Sequence, residues 1–236
     1  MKRQQRLGIA ITCVFCAVLL LAALSEQVVF TDGESRGTRV RVVVDAGHGG
    51  FDGGAKAPDG TEEKTLNLCI ARSAAAMLRV CGYEVVMTRD TDEGLQHTDD
   101  ATIRAKKVSD MQARLSLYEE AQAVISIHQN MFAAQNCRGT QVFYSPNHPR
   151  SKVLATCVRE KVLSQLQPDN TRELKAGNKE IFLLHKTTVP AILVECGFLS
   201  NPQELEMLKD DTYQRQLGFS IACGMLQYTA QGGSAA

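Results

Sequence analysis

The sequence predicts a single α/β domain whose mainly parallel, twisted sheet is covered by helices on both faces, and three observations carry that prediction. Apolar, largely β-branched runs recur at Val42–Val44, Ala123–Ile127 and Ala191–Val194, continuous rather than alternating, as in strands buried on both sides. Between such runs lie longer stretches with apolar residues at helical spacing. Each of the three runs also delivers an ionisable residue, His48, His128 and Glu195 in turn. In open α/β sheets the ligand crevice lies outside the carboxyl ends of the strands, so these three residues are candidates for one site.

The chain has 236 residues, 44% hydrophobic and 22% charged, enough for one ordinary domain with a sizeable core. Lys plus Arg equals Asp plus Glu at 26 each. Residues 1–25 hold three of the cations (Lys2, Arg3 and Arg6) and no acid, so the remainder carries 23 against 26, net −3. No basic patch points to a nucleic-acid partner. The uncharged, mostly apolar run from Leu7 to Leu24 behind those cations reads as a targeting segment. Its 18 residues sit at the lower limit for crossing a bilayer, and Ala23-Leu24-Ser25 offers a small-residue cleavage site, so signal peptide and membrane anchor both stand for residues 1–25. Either one exports the rest. Residues 26–38, with Thr31-Asp32-Gly33-Glu34-Ser35-Arg36-Gly37, form a polar tether, and the folded domain is expected to span 39–228.

The first strand ends at Asp45-Ala46-Gly47-His48-Gly49-Gly50, where glycines let the chain turn sharply beside the histidine. A glycine-rich loop over Phe51–Thr61 follows. Leu66, Ile70, Ala74, Met77, Leu78 and Cys81 mark one face of a helix that Gly82 ends, which sets Glu62 and Glu63 at or just before its first turn. Glu84–Thr88 is a strand ending at Arg89-Asp90, and Thr91–Asp100 an acidic loop. Ile103–Ala121 is helical, with Val108, Met111, Leu115 and Tyr118 on its apolar face and Lys106, Lys107, Asp110 and Arg114 largely elsewhere. The remaining strands are expected at Gly139–Tyr144, Ile181–Leu184 and Ala191–Val194, with helices over Ser151–Gln167 and through Leu217, Ile221, Met225 and Tyr228. Residues 229–236 are expected to form a flexible tail.

Two histidines and a carboxylate make the ligand set of a catalytic zinc that keeps its fourth position open. His48 and His128 are the candidate nitrogens, and Glu63 is chosen over Glu62 because a helix start beside the glycine loop lets it lean toward the strand ends. At separations of 15 and 65 residues there is no compact metal motif, so spacing alone does not establish the triad. The eight cysteines show no paired metal-ligand spacing in the domain; Cys13 and Cys16 fall inside the apolar run, and the other six are expected to be mostly free, buried thiols.

Four blocks, Asp45-Ala46-Gly47-His48-Gly49-Gly50, Glu63-Lys64-Thr65-Leu66-Asn67-Leu68, Ser126-Ile127-His128-Gln129-Asn130 and Val194-Glu195-Cys196-Gly197-Phe198-Leu199-Ser200-Asn201, resemble the successive signatures of the zinc-dependent N-acetylmuramoyl-L-alanine amidases. Their order and spacing cover about residues 39–228. The resemblance implies Zn2+ held by His48, Glu63 and His128, with Glu195 as the catalytic carboxylate acting on peptidoglycan. Within that family the chain is most similar to the germination-specific, spore cortex amidases of spore formers, through Lys107-Val108-Ser109-Asp110, Arg114 and Asn170-Thr171-Arg172. That narrower likeness implies an exported enzyme, membrane-anchored or secreted, at the developing spore, with a lipoprotein as a possible partner. Ala46, Gln129 and Cys196 depart from the residues most relatives carry at those places.

Other readings stay open at this level. Arg89 and Arg114 are candidates to grip a substrate carboxylate, or else form structural ion pairs. Asn130 either orients substrate or holds a turn. His97 and His148 lie in polar loops, and His185 lines the site or the surface. Cys196, as strand neighbour of Glu195, is expected to face away from it, which argues against a thiol hydrolase. As alternatives to an amidase stand a zinc peptidase acting on the stem peptide and a wall-binding or partner-activated module with weak activity of its own.

Overall fold

The computed structural model describes residues 39–95 and 102–233. The expected targeting segment and tether, Cys13, Cys16, His97, the second half of the acidic loop and residues 234–236 lie outside the described residues. No helix among those described is long and apolar enough to cross a membrane.

The elements run β1 (Arg41–Ala46), α1 (Glu63–Val80), β2 (Glu84–Met87), α2 (Ile103–Glu119), β3 (Ala123–Asn130), β4 (Gln141–Tyr144), α3 (Pro149–Gln165), β5 (Lys175–Ala176), α4 (Phe182–Lys186), β6 (Ala191–Phe198), α5 (Pro202–Lys209) and α6 (Asp211–Tyr228). Six strands form one sheet in the order β2-β1-β3-β6-β4-β5. Every pairing is parallel except β4 against β6. The α/β architecture with a mainly parallel sheet is therefore as the sequence predicts.

The side chains of β1 alternate between two layers. Val42, Val44 and Ala46 enter the larger core with Leu66, Ile70 and Leu78 of α1, Leu154 and Val158 of α3, and Leu217 and Ile221 of α6. Val43 faces a smaller cluster with Tyr118 of α2, Val124, Leu184 and Leu193. The next residue of that second face is Asp45, a fully buried carboxylate. Each completely buried Leu or Ile contributes about 1.5–3 kcal/mol, so the larger layer supplies most of the apolar stabilisation.

Two expectations are corrected. Ile181–Leu184 is not a strand; its apolar residues belong to the short helix α4, and a run of four apolar residues has no periodicity to separate the two. Position 114 is not on the outside of α2: Arg114 and Tyr118 are its buried residues, and Val108 is 43% exposed. Thr229–Gly233 prolongs α6 to a kink at Gln231 and Gly232, and Thr229 Oγ1 lies 2.6 Å from Tyr83 Oη. Strand β5 and helix α5 are additions to the expected elements; α5 starts at Pro202, and Asn201 caps it by accepting from the backbone N–H groups of Gln203 and Glu204. All six described cysteines are free as expected, but Cys157 and Cys196 are the buried ones and Cys81 is exposed.

Candidate metal centre and active site

Strands β1, β3 and β6 end side by side, with His128 directly opposite Glu195 in the register. A β-bulge between His128 and Asn130 ends regular pairing there, a device that re-aims a strand-end side chain. His48 follows β1 in the left-handed region at φ +62°, strained for a residue with a Cβ, and Gly49 and Gly50 continue the turn at +136° and +55°. Glu63 opens α1 and leans over the strand ends, 96% withdrawn from solvent.

These three side chains converge. Candidate ligand atoms of His48, Glu63 and His128 lie within 4.8 Å of one another, and no other cluster of this kind occurs among the described residues. His48 turns Nε2 to within 3.2 Å of Glu63, while its Nδ1 is 2.9 Å from Asp52. His128 presents Nδ1, 3.0 Å from Glu63 Oε1. The imidazoles meet edge to face with centroids 5.0 Å apart. A Cβ at Gly47 would stand 2.3 Å from the His128 ring, and one at Gly54 would stand 2.6 Å from Glu63 Oε2 and 2.7 Å from His48. Those two glycines leave the space that the three side chains occupy.

The surroundings fix the set. Glu63 Oε1 accepts from Asn67 Nδ2 at 3.1 Å and from the Gln129 N–H at 3.1 Å, and Oε2 accepts from the Ala55 N–H at 2.9 Å. Burial opposes the charge on Glu63, but the hydrogen bonds to His128 and His48 hold its carboxyl well below the usual range. A carboxylate on the far nitrogen of a ligating histidine fixes its tautomer and orientation, which is the place Asp52 takes beside His48. Asp52 also receives Lys107 Nζ at 2.9 Å.

Glu195 completes the group from the facing strand. Its Oε2 is buried with no hydrogen-bond partner among the described residues. Burial, reinforced by the charge of Glu63 and opposed by His128 and His48, pushes its carboxyl up to about 7. An unpaired buried carboxylate oxygen is costly, and its neighbours here are the metal-ligand set. Cys196 is fully buried in the opposite layer, so the expected alternation holds. The donor set of two nitrogens and a carboxylate, the glycine-made space and the unpartnered oxygen all fit a catalytic zinc with one position left open.

Asn130 sits at the end of β3, where its carbonyl accepts from the Leu199 N–H at 2.8 Å. Arg89 and Arg114 lie beneath the site, 6% and 3% exposed, with their donors on backbone carbonyls and carboxylates, and Arg114 also lines the cleft beside the histidines. His148 caps α3 by accepting from the Arg150 N–H, and His185 is exposed on α4. A cleft of about 300 Å³ opens beside the histidines, walled by Phe51, Met111, Ile181, Phe182 and Leu193, with Lys107 at its side.

Sequence reasoning did not single out Asp45, Asp52, Asn67, Tyr118 or Ser126. Asp45 accepts from Thr88 Oγ1 at 2.8 Å, Ser126 Oγ at 2.6 Å, Tyr118 Oη at 2.5 Å and the Arg114 guanidinium. Burial alone would raise its carboxyl; Arg114, the charge of His128 and the hydroxyls of Ser126 and Tyr118 outweigh that and hold it well below the usual carboxylate range. The one available signal was an aspartate closing an otherwise apolar strand, where an unpaired charge is not tolerated.

Residues 42–227 match the family model described as N-acetylmuramoyl-L-alanine amidase. The chain is 33% identical over 194 residues to the germination-specific N-acetylmuramoyl-L-alanine amidase of Bacillus subtilis, covering 81% of each. Among solved structures it is similar to the CwlD amidase of Clostridioides difficile in complex with the GerS lipoprotein, at 34% identity and a TM-score of 0.79 over 82% of this chain and all of that one. It is also similar to an N-acetylmuramoyl-L-alanine amidase of Clostridium difficile 630, at 30% identity and a TM-score of 0.71 over 81% of this chain and 97% of that one.

Proposed function

The chain belongs to the N-acetylmuramoyl-L-alanine amidase family, and from that premise we propose that it hydrolyses the amide joining the lactyl carboxyl of N-acetylmuramic acid to L-alanine of the peptidoglycan stem peptide. The observation that carries this is the convergence of His48, Glu63 and His128 on one point, with the unpartnered Glu195 Oε2 buried among them.

His48 through Nε2, His128 through Nδ1 and Glu63 through its carboxylate would hold zinc. Bound there, zinc supplies a Lewis acid for the amide carbonyl and lowers the pKa of water. Glu195 accepts the proton of the attacking water at its carboxylate and returns it to the leaving nitrogen of L-alanine. Burial works against the charge on Glu195 and so favours its taking up the proton of water. Asp52 holds His48 by Nδ1, leaving Nε2 free to ligate. The apolar walls of the adjoining cleft suit the methyl groups of the lactyl and alanyl units.

The likeness to the germination-specific relative supports action on spore cortex, and the solved relative's complex with a lipoprotein supports a lipoprotein partner for this chain. Both support action outside the cytoplasm, as do the cations and the apolar run of residues 1–25. The test is mass spectrometry of digested peptidoglycan. An amidase releases intact stem peptides beginning at L-alanine and leaves bare glycan; cleavage inside the stem would identify a peptidase instead. Glycan binding with no turnover, even with the lipoprotein added, would identify a binding module.

A further inference from the structure

We propose that Arg89 and Arg114 are positioning residues that set how tightly the site holds its metal, by clamping the backbone of the loop that carries His48; this rests on His48, Glu63 and His128 being the metal ligands. The observation is a convergence of two guanidiniums on three consecutive carbonyls. Arg89 Nε donates to Ala46 O at 3.0 Å and His48 O at 2.7 Å, and its Nη2 donates to Gly47 O at 3.0 Å. Arg114 Nη1 donates to Ala46 O at 2.9 Å and its Nη2 to His48 O at 2.7 Å. The two side chains arrive from different elements, the end of β2 and the middle of α2.

The clamp acts where the backbone needs it. His48 is the one described non-glycine residue in the left-handed region, a conformation that persists only where the surroundings over-determine it. The carbonyls of Ala46, Gly47 and His48 each accept from an arginine, so relaxing the turn would strand buried donors on both guanidiniums. The arginines are fixed in their turn. Arg114 is ion-paired with Asp45 and, at 2.5 Å, with Asp110, and Arg89 Nη2 also donates to Lys64 O at 2.7 Å. That last bond ties the His48 turn to the residue following Glu63, so one side chain sets the spacing between two ligands.

The planar fork is what makes this possible. A lysine keeps the charge but offers a single donor centre and cannot span three carbonyls. Arg89→Lys and Arg114→Lys are therefore expected to weaken zinc retention about 10- to 100-fold in the full chain, the range for outer partners of metal ligands, measured by competition with a chromogenic chelator. The second readout is the visible spectrum of the cobalt-substituted protein, in which loss of His48 from the metal alters the ligand-field bands. Arg79→Lys is the control: the Arg79 guanidinium donates to Val85 O at 3.4 Å and to none of the turn carbonyls, so the variant should leave zinc affinity unchanged. If Arg114→Lys does not fold, Arg89→Lys decides alone. Zinc affinity and cobalt spectra matching wild type in the folded lysine variants, with a raised KM for muropeptide, would overturn the proposal and make the arginines substrate grips. A wild-type chain that holds no zinc would remove the metal reading first, and the proposal with it.

Discussion

On one side of the sheet, α1, α3 and α6 press Leu66, Ile70, Leu78, Leu154, Val158, Leu217 and Ile221 against the even-numbered residues of β1. On the other side lie α2 and α4, and where β1 turns Asp45 toward them the packing gives way to a polar knot of Asp45, Thr88, Arg114, Tyr118 and Ser126. Apolar contact is non-directional and tolerates small shifts. Hydrogen bonds to carbonyls and carboxylates are directional, and a buried network left partly satisfied costs more than none. Stability and site geometry are therefore drawn from different layers. The larger core keeps the sheet together, and the smaller, polar one holds a strained turn in the shape that aims His48.

The division can be broken most severely at the knot. Asp45→Asn takes the fully buried carboxylate from the Arg114 guanidinium, leaving Asp110 as its one charged partner among the described residues, and is expected to lose about 3–5 kcal/mol in denaturant unfolding, with zinc affinity falling in parallel. Ile70→Ala, in the larger core, is expected to cost about 2–5 kcal/mol by leaving a cavity, but the protein that remains folded should bind zinc as wild type does. Equal loss of zinc affinity in both variants would show that the two layers are not separable.

The pH dependence of unfolding sharpens the same contrast. The Asp45 carboxyl is lower in the folded chain than its ordinary value of about 3.9. Its contribution is therefore fully present above about pH 4 and is lost as the pH falls below that toward the folded value. Wild type should lose stability more steeply than Asp45→Asn when unfolding is followed from pH 5 to pH 2.5; parallel curves would exclude Asp45 as the group responsible. The smallest effect is expected far from both layers. Asn201→Ala removes the cap of α5 and should cost about 1 kcal/mol in thermal unfolding with activity unaltered.

What the sequence made legible follows the same line. His48, His128 and Glu195 stood out because each is reached from an apolar strand, and a strand end is a place that a one-dimensional pattern can mark. Glu63 was reachable because helix starts are also marked, here by the periodicity of Leu66, Ile70 and Ala74. Asp52 and Arg114 were not, since their roles depend on the path of a glycine loop and on a helix 66 residues beyond His48, neither of which leaves a local pattern. Helical amphipathicity sets Arg114 apart from the apolar face of α2, and the buried carboxylate of Asp45 draws it inward as one half of an ion pair. Ile181–Leu184 failed for want of length. Strand β5 has two residues, too few to carry any period.

The most direct measurement is zinc per chain, read by elemental analysis, together with release of stem peptides, for the wild-type chain, His128→Ala and Glu195→Ala. The expected result is about one zinc and free stem peptides from wild type, loss of both from the histidine variant, and zinc retained with release slowed about 10²- to 10⁴-fold in the glutamate variant. Undiminished release from the glutamate variant, or full zinc in the histidine variant, would contradict the assignment of ligand and base.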